Sequence, residues 1–151
     1  MTKILLPTDG SESAHRAGEY AITAADLGSD IILLYVIDID HLKALSQQDL
    51  RDKLQIRLIR EGKKFVNDFK QEIEDAKCQG YCKHVNIITL IREGNPEEII
   101  LKTIQEESID QVIIGKSNKS SLEKYFSGSI SKRVAKEANV PVKIVWKFIQ
   151  K

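Results

Sequence analysis

The sequence predicts an α/β protein: a three-layer, open sheet of five parallel strands. Three observations predict it. Short apolar runs alternate with longer amphipathic stretches along the whole chain. The clearest run, residues 30–37, is continuously apolar from Ile31 onward, as expected of a parallel strand covered on both faces. Every strand is separated from the next by helical sequence, so parallel crossovers are required rather than hairpins. The chain has 151 residues, enough for one domain over residues 1–151 and too few for a closed eight-stranded barrel.

Residues 3–7 read as the first strand, with Pro7 ending it because proline has no N–H for a ladder. Thr8-Asp9-Gly10-Ser11 reads as a tight turn. A helix over about 12–27 sets Ala14, Ala17, Ala21, Ala24 and Ala25 at helical spacing, small side chains suited to close packing on a sheet. After the second strand, residues 41–77 are mostly helical. Leu50, Leu54, Leu58, Phe65, Phe69 and Ile73 track one face, and a break is expected near Ser46-Gln47-Gln48 or at Gly62.

Residues 84–91 read as the third strand and Arg92-Glu93-Gly94-Asn95 as a turn. Asn95 is the expected N-cap of a helix with Pro96 at its first position and Glu97-Glu98 in its first turn, running to about Glu107. Residues 110–114 read as the fourth strand. A Lys- and Ser-rich loop follows from Gly115 to Ser127, then a helix over about 128–138. The last strand is expected from Val142 to Phe148, after Pro141.

Charge excludes some functions. Twenty-three Lys and Arg face twenty-two Asp and Glu, so there is no general drive towards nucleic acid or membranes. The longest apolar stretch is too short to cross a bilayer. Nothing near Met1 reads as a targeting signal, and a cytoplasmic location is expected. Cys78 and Cys82 with His84 lack the ligand count of a zinc site and read as thiols of a reduced protein. Asp38 and Asp40 read as a solvated turn, and His15, His41 and His84 are scattered with no nucleophile beside them. No metal site is expected from these residues.

Open parallel sheets bind ligands at the carboxyl ends of their strands, where strand order reverses. Two segments fall at that edge: Pro7-Thr8-Asp9-Gly10, and Gly115 to Ser129. In the second, Gly128-Ser129 opens a helix, whose unpaired N–H groups and positive dipole end suit a phosphate. Lys116, Lys119 and Lys124 add positive charge. The same residues also fit a surface loop followed by a serine N-cap. Neither a P-loop nor a G-x-G-x-x-G fingerprint is present.

Three stretches resemble the universal stress protein family, in order and across the whole chain. They are Ile4 to Ser13, Arg92-Glu93-Gly94-Asn95-Pro96, and Ile114-Gly115 through Gly128-Ser129-Ile130-Ser131 to Val140-Pro141-Val142. The last stretch matches a G-x2-G-x9-G-[ST] nucleotide signature, with Asn118 in place of the second glycine. Asn is the side chain that best tolerates a left-handed backbone.

The resemblance implies a Rossmann-like sheet of strand order 3-2-1-4-5 and binding of ATP, with Mg²⁺ as a companion ion. It implies that Pro7, Thr8 and Asp9 meet the nucleotide, that Val36 lies against adenine, and that Gly115, Asn118, Gly128, Ser129 and Ile130 wrap ribose and phosphates. Asp9 suits ribose hydroxyls or a hydrated Mg²⁺. It is also the one carboxylate to consider as a general base, for hydrolysis that is at most slow or partner-dependent. A homodimer through Val142 to Phe148 is implied as well, with a protein partner that the sequence does not name. The alternative is a family member that binds no nucleotide and acts through protein contacts.

Overall fold

The computed structural model describes residues 2–8, 12–25, 28–38, 47–76, 85–116 and 129–146. Five strands form one parallel sheet: β1 (Lys3–Thr8), β2 (Asp30–Asp38), β3 (Asn86–Gly94), β4 (Gln111–Lys116) and β5 (Val142–Trp146). Their order is β3-β2-β1-β4-β5. Four described helices connect them: α1 (Glu12–Ala24), α2 (Gln48–Ala76), α3 (Pro96–Glu106) and α4 (Ser129–Glu137).

The period-two alternation of each strand divides the core into two layers. On β2, Ile32, Leu34 and Val36 join Leu5, Val112 and Ile114 beneath α3 and α4. Ile31 and Leu33 join Ile4, Leu6 and Ile113 beneath α1 and α2. An unbroken apolar run on β2 is thus what two covered faces require.

Small residues set how closely helices approach. Ala17, Ala21 and Ala25 are buried at four-residue intervals. Ala24 is exposed, contrary to expectation, because the stripe continues at Ala25 instead. The side chain of Ala14 lies outside the described residues. Between α1 and α2, a Cβ added to Gly18 would sit 2.4 Å from Phe69 Cζ, so that glycine is what lets the aromatic ring in.

Three expected boundaries are overturned, and one of two alternative breaks is decided, by tertiary contacts. First, Pro7 does not end β1. It is in register with Leu34 of β2, and Thr8 with Tyr35. The β1–β4 register covers only Ile4 and Leu5, so beyond Leu5 the strand has one ladder neighbour and tolerates proline as an edge strand does. Second, α2 runs unbroken through Gly62, where an added Cβ would come within 3.0 Å of the Tyr35 ring. Its start at Gln48 agrees with the other expected break.

Third, Arg92-Glu93-Gly94 is strand rather than turn, paired with Val36, Ile37 and Asp38. Fourth, Gly115 belongs to β4, in register with Val145, so the strand runs past its expected end at Ile114. The expected apolar face of α2 also fails at one end. Phe69 and Ile73 are buried, whereas Leu50 is 49% exposed, because the 29-residue helix is longer than the sheet beneath it.

The start of α3 is as expected. Asn95 Oδ1 accepts a hydrogen bond from the Glu98 amide at 3.2 Å, Pro96 takes the first turn, and Glu97 and Glu98 follow. β5 is described to Trp146, and Phe148 lies outside the described residues.

Candidate functional site

The site is the carboxyl edge of the sheet between β1 and β4. These strands are neighbours, and the connections leave them for opposite faces: α1 follows β1 onto one layer and α4 follows β4 onto the other. Among the described residues β1 and β4 stay in register only at Ile4–Gln111 and Leu5–Val112, so no ladder pair joins their carboxyl ends. An open α/β sheet has its ligand crevice at such a switch point.

Of the residues expected there, Pro7 and Thr8 form the last two positions of β1, and Thr8 is 3% exposed. Gly115 lies one residue from the end of β4 and is buried. Ser129 is the first residue of α4, and Ile130 the second. Val36 and Ile130 are brought into a single apolar cluster with Leu34 and Ile114. Val36, implied for adenine, and Ile130, at the start of α4, therefore share the α3/α4 side of the sheet. Asp9, Asn118 and Gly128 lie outside the described residues, as do Cys78, Cys82 and His84.

The two helices on this face differ at their N-termini. The first turn of α3 carries Glu97 and Glu98, which already answer its dipole. The first turn of α4 has no acidic residue, so its N–H groups remain suited to an external anion. Arg133 bonds Glu137 within α4 at 2.8 Å and reaches Glu97 of α3 at 3.6 Å, a contact between the two helices.

Arg92, expected in a turn, is a structural residue of β3. It sits in register with Val36. Its guanidinium donates to Thr103 Oγ1 at 3.1 Å, bonds Glu106, and lies 3.6 Å from Glu107. This clasp holds α3 against β3 beside Val36. The period-two series Ile88, Leu90, Arg92 is the sequence feature that places it on the strand.

Among the described residues there is no group of three or more His, Cys, Asp or Glu able to hold a metal. Among them, too, no helix is long and apolar enough to cross a membrane. A depression lined by Leu101, Ile104, Gln105, Glu137, Ala138 and Asn139 lies at the C-terminal ends of α3 and α4. It is at the opposite end of these helices from the crevice.

Comparison with known proteins decides the family. Residues 1–145 match the model of the universal stress protein family. The chain belongs to that family. It is 30% identical to universal stress protein MJ0577 of Methanocaldococcus jannaschii over 95% of this chain and 93% of that one. It is 29% identical to MJ0531 of the same organism over 96% and 82%. The solved structure of MJ0577 superposes with a TM-score of 0.78, covering 97% of this chain and 96% of that one. At 18% identity, a family protein from Arabidopsis thaliana solved with AMP bound shares the fold, with a TM-score of 0.66 over 97% and 92%. At 16% identity, so does a universal stress protein solved with cAMP, with a TM-score of 0.62 over 96% of each chain. This universal stress protein thus has the sheet order and helix placement of its family.

Proposed function

We propose that this universal stress protein is an adenine-nucleotide-binding regulatory module that takes ATP, with Mg²⁺, in the crevice between β1 and β4. The observation that carries the reading is the convergence of Pro7, Thr8, Val36, Gly115, Ser129 and Ile130 at one sheet edge. The acid-free first turn of α4 supports phosphate binding at Ser129 and Ile130, with Gly128 preceding them. AMP and cAMP in distant members of the fold are consistent with an adenine ligand. Asp9 would meet ribose or the hydrated ion, and Asn118 would close the turn of the signature loop. Any hydrolysis would be slow or depend on a partner, since no general base other than Asp9 suggests itself.

A thermal-shift titration tests this reading. ATP with Mg²⁺ at millimolar concentration should raise the melting temperature, by linkage of binding to folding. An unchanged melting temperature would favour the second reading, a member that acts through protein contacts alone. Asn118, standing where the signature has glycine, is the feature that favours that alternative.

We further propose a homodimer through β5. Among the described residues the strand is at the sheet edge, and its ladder is with β4. Pairing with a second copy would satisfy its outer backbone groups under two-fold symmetry. A cytoplasmic location is in keeping with this reading.

A further inference from the structure

The outer face of α2 carries a graded charge pattern, basic towards its start and acidic towards its end. From Gln48 to Lys64 the helix has six basic and three acidic residues. From Phe65 to Ala76 it has one basic and four acidic residues. Its last turn contains Glu74 and Asp75 and no basic residue. A helix macrodipole favours cations in the last turn and anions in the first, so Asp49 agrees with it while Glu74 and Asp75 oppose it.

The residues concerned are exposed. Side-chain exposure is 75% at Arg57, 78% at Lys64 and 64% at Asp68. Arg57, Lys64, Asp68 and Asp75 recur at spacings of seven, four and seven, which places them along one stripe of the helix. α2 packs against β2 and β3, at the far side of the sheet from β5. A polyanion or an anionic membrane lying along this stripe would gain at the basic half and be repelled by the acidic half. The partner that matches both halves is the same stripe running in the opposite direction.

We propose that α2 is a second self-association surface, on which α2 of another copy packs antiparallel about a two-fold axis near Val66 and Asn67. In that arrangement Arg57 faces Asp75 of the other copy and Lys64 faces Asp68. Both pairs then occur twice by symmetry. Lys64 and Asp68 already form an exposed bridge of 2.9 Å within one chain, and association exchanges it for a bridge between chains. The stripe is polar, so the contact is weak and salt-sensitive. It is independent of the nucleotide reading and of the β5 dimer.

Charge reversal tests it on the full chain by sedimentation at low and high salt. The variants are Arg57→Glu with Lys64→Glu, and Asp68→Lys with Asp75→Lys, each checked for a native circular dichroism spectrum. For the native chain, the weight-average mass at about 10 mM salt should exceed that at about 1 M salt, across which screening becomes nearly complete. Each variant alone at low salt should lose that excess. An equimolar mixture of the two should regain it, since one stripe is then wholly acidic and the other wholly basic. A salt-independent native mass, variants that keep the excess, or a mixture no heavier than its components would each overturn the proposal. A β5 dimer leaves the mass indifferent to all four substitutions.

Discussion

Leu5 on β1 stands in register with Val112 on β4, and among the described residues this is the last pair between the two strands. Towards their carboxyl ends, β1 continues with β2 through Thr8–Tyr35, and β4 continues with β5 through Lys116–Trp146. The β1–β4 ladder therefore stops short of the carboxyl edge where Pro7, Thr8 and Gly115 lie. A crevice there follows from the reversal of strand order and needs no special loop to create it.

Gly18 in α1 should not tolerate a methyl group. Alanine normally gains about 1 kcal/mol over glycine in a helix. Here the added Cβ would lie 2.4 Å from Phe69 Cζ, and Phe69 is itself 3% exposed and stacked at 5.7 Å on Phe65. Overpacking of a filled core costs about 1–3 kcal/mol, so the clash should win. Urea unfolding of Gly18→Ala should show a lower midpoint. A midpoint equal to or above the native one would mean that Phe69 moves aside freely.

Asn95 should contribute its cap and little else. Asn95→Ala removes the hydrogen bond from the Glu98 amide and should destabilise the fold by about 1 kcal/mol. Asn95→Asp, which keeps an acceptor oxygen, should retain most of the stability. Chemical denaturation of the two variants separates a lost cap from a merely changed surface residue.

These two positions also show what was legible in the sequence. Asn95-Pro96 was read correctly because a cap is a local event: one oxygen, one amide, three residues apart. The unbroken run of β2 was equally readable, since continuous apolarity has few explanations besides two covered faces. Pro7, Gly94 and Gly115, like the alternative break at Gly62, read as local punctuation, yet each belongs to an element maintained by neighbours distant in sequence, such as Leu34 beside Pro7 and Tyr35 beneath Gly62. Gly94 keeps its strand pairing at φ +150°, with Ile99 too close for a Cβ. Within the candidate site, the order of Pro7-Thr8, Gly115 and Ser129-Ile130 was visible through family resemblance. The clasp of Arg92 on Thr103 was not, because α3 first has to fold back over β3.

The signature loop can be probed from both directions. Asn118→Gly should tighten ATP binding if the asparagine side chain crowds the phosphates. Gly128→Val should abolish binding, because a β-branched side chain would shield the amides at the start of α4. Fluorescence competition with a labelled adenine nucleotide would report both. Unchanged affinity in both variants would mean that the site lies elsewhere.

The β5 edge predicts a dimeric mass by light scattering at tens of micromolar protein. That value should persist at high salt, because backbone pairing and apolar contact do not depend on charge. A monomeric mass under those conditions would refute the β5 dimer.

Titration calorimetry of the native chain with Mg·ATP tests the central claim most directly. Saturable heat at one nucleotide per chain is predicted, with loss of that heat in Gly128→Val while the variant remains folded. No heat from folded native protein at millimolar ATP would contradict the nucleotide-binding account.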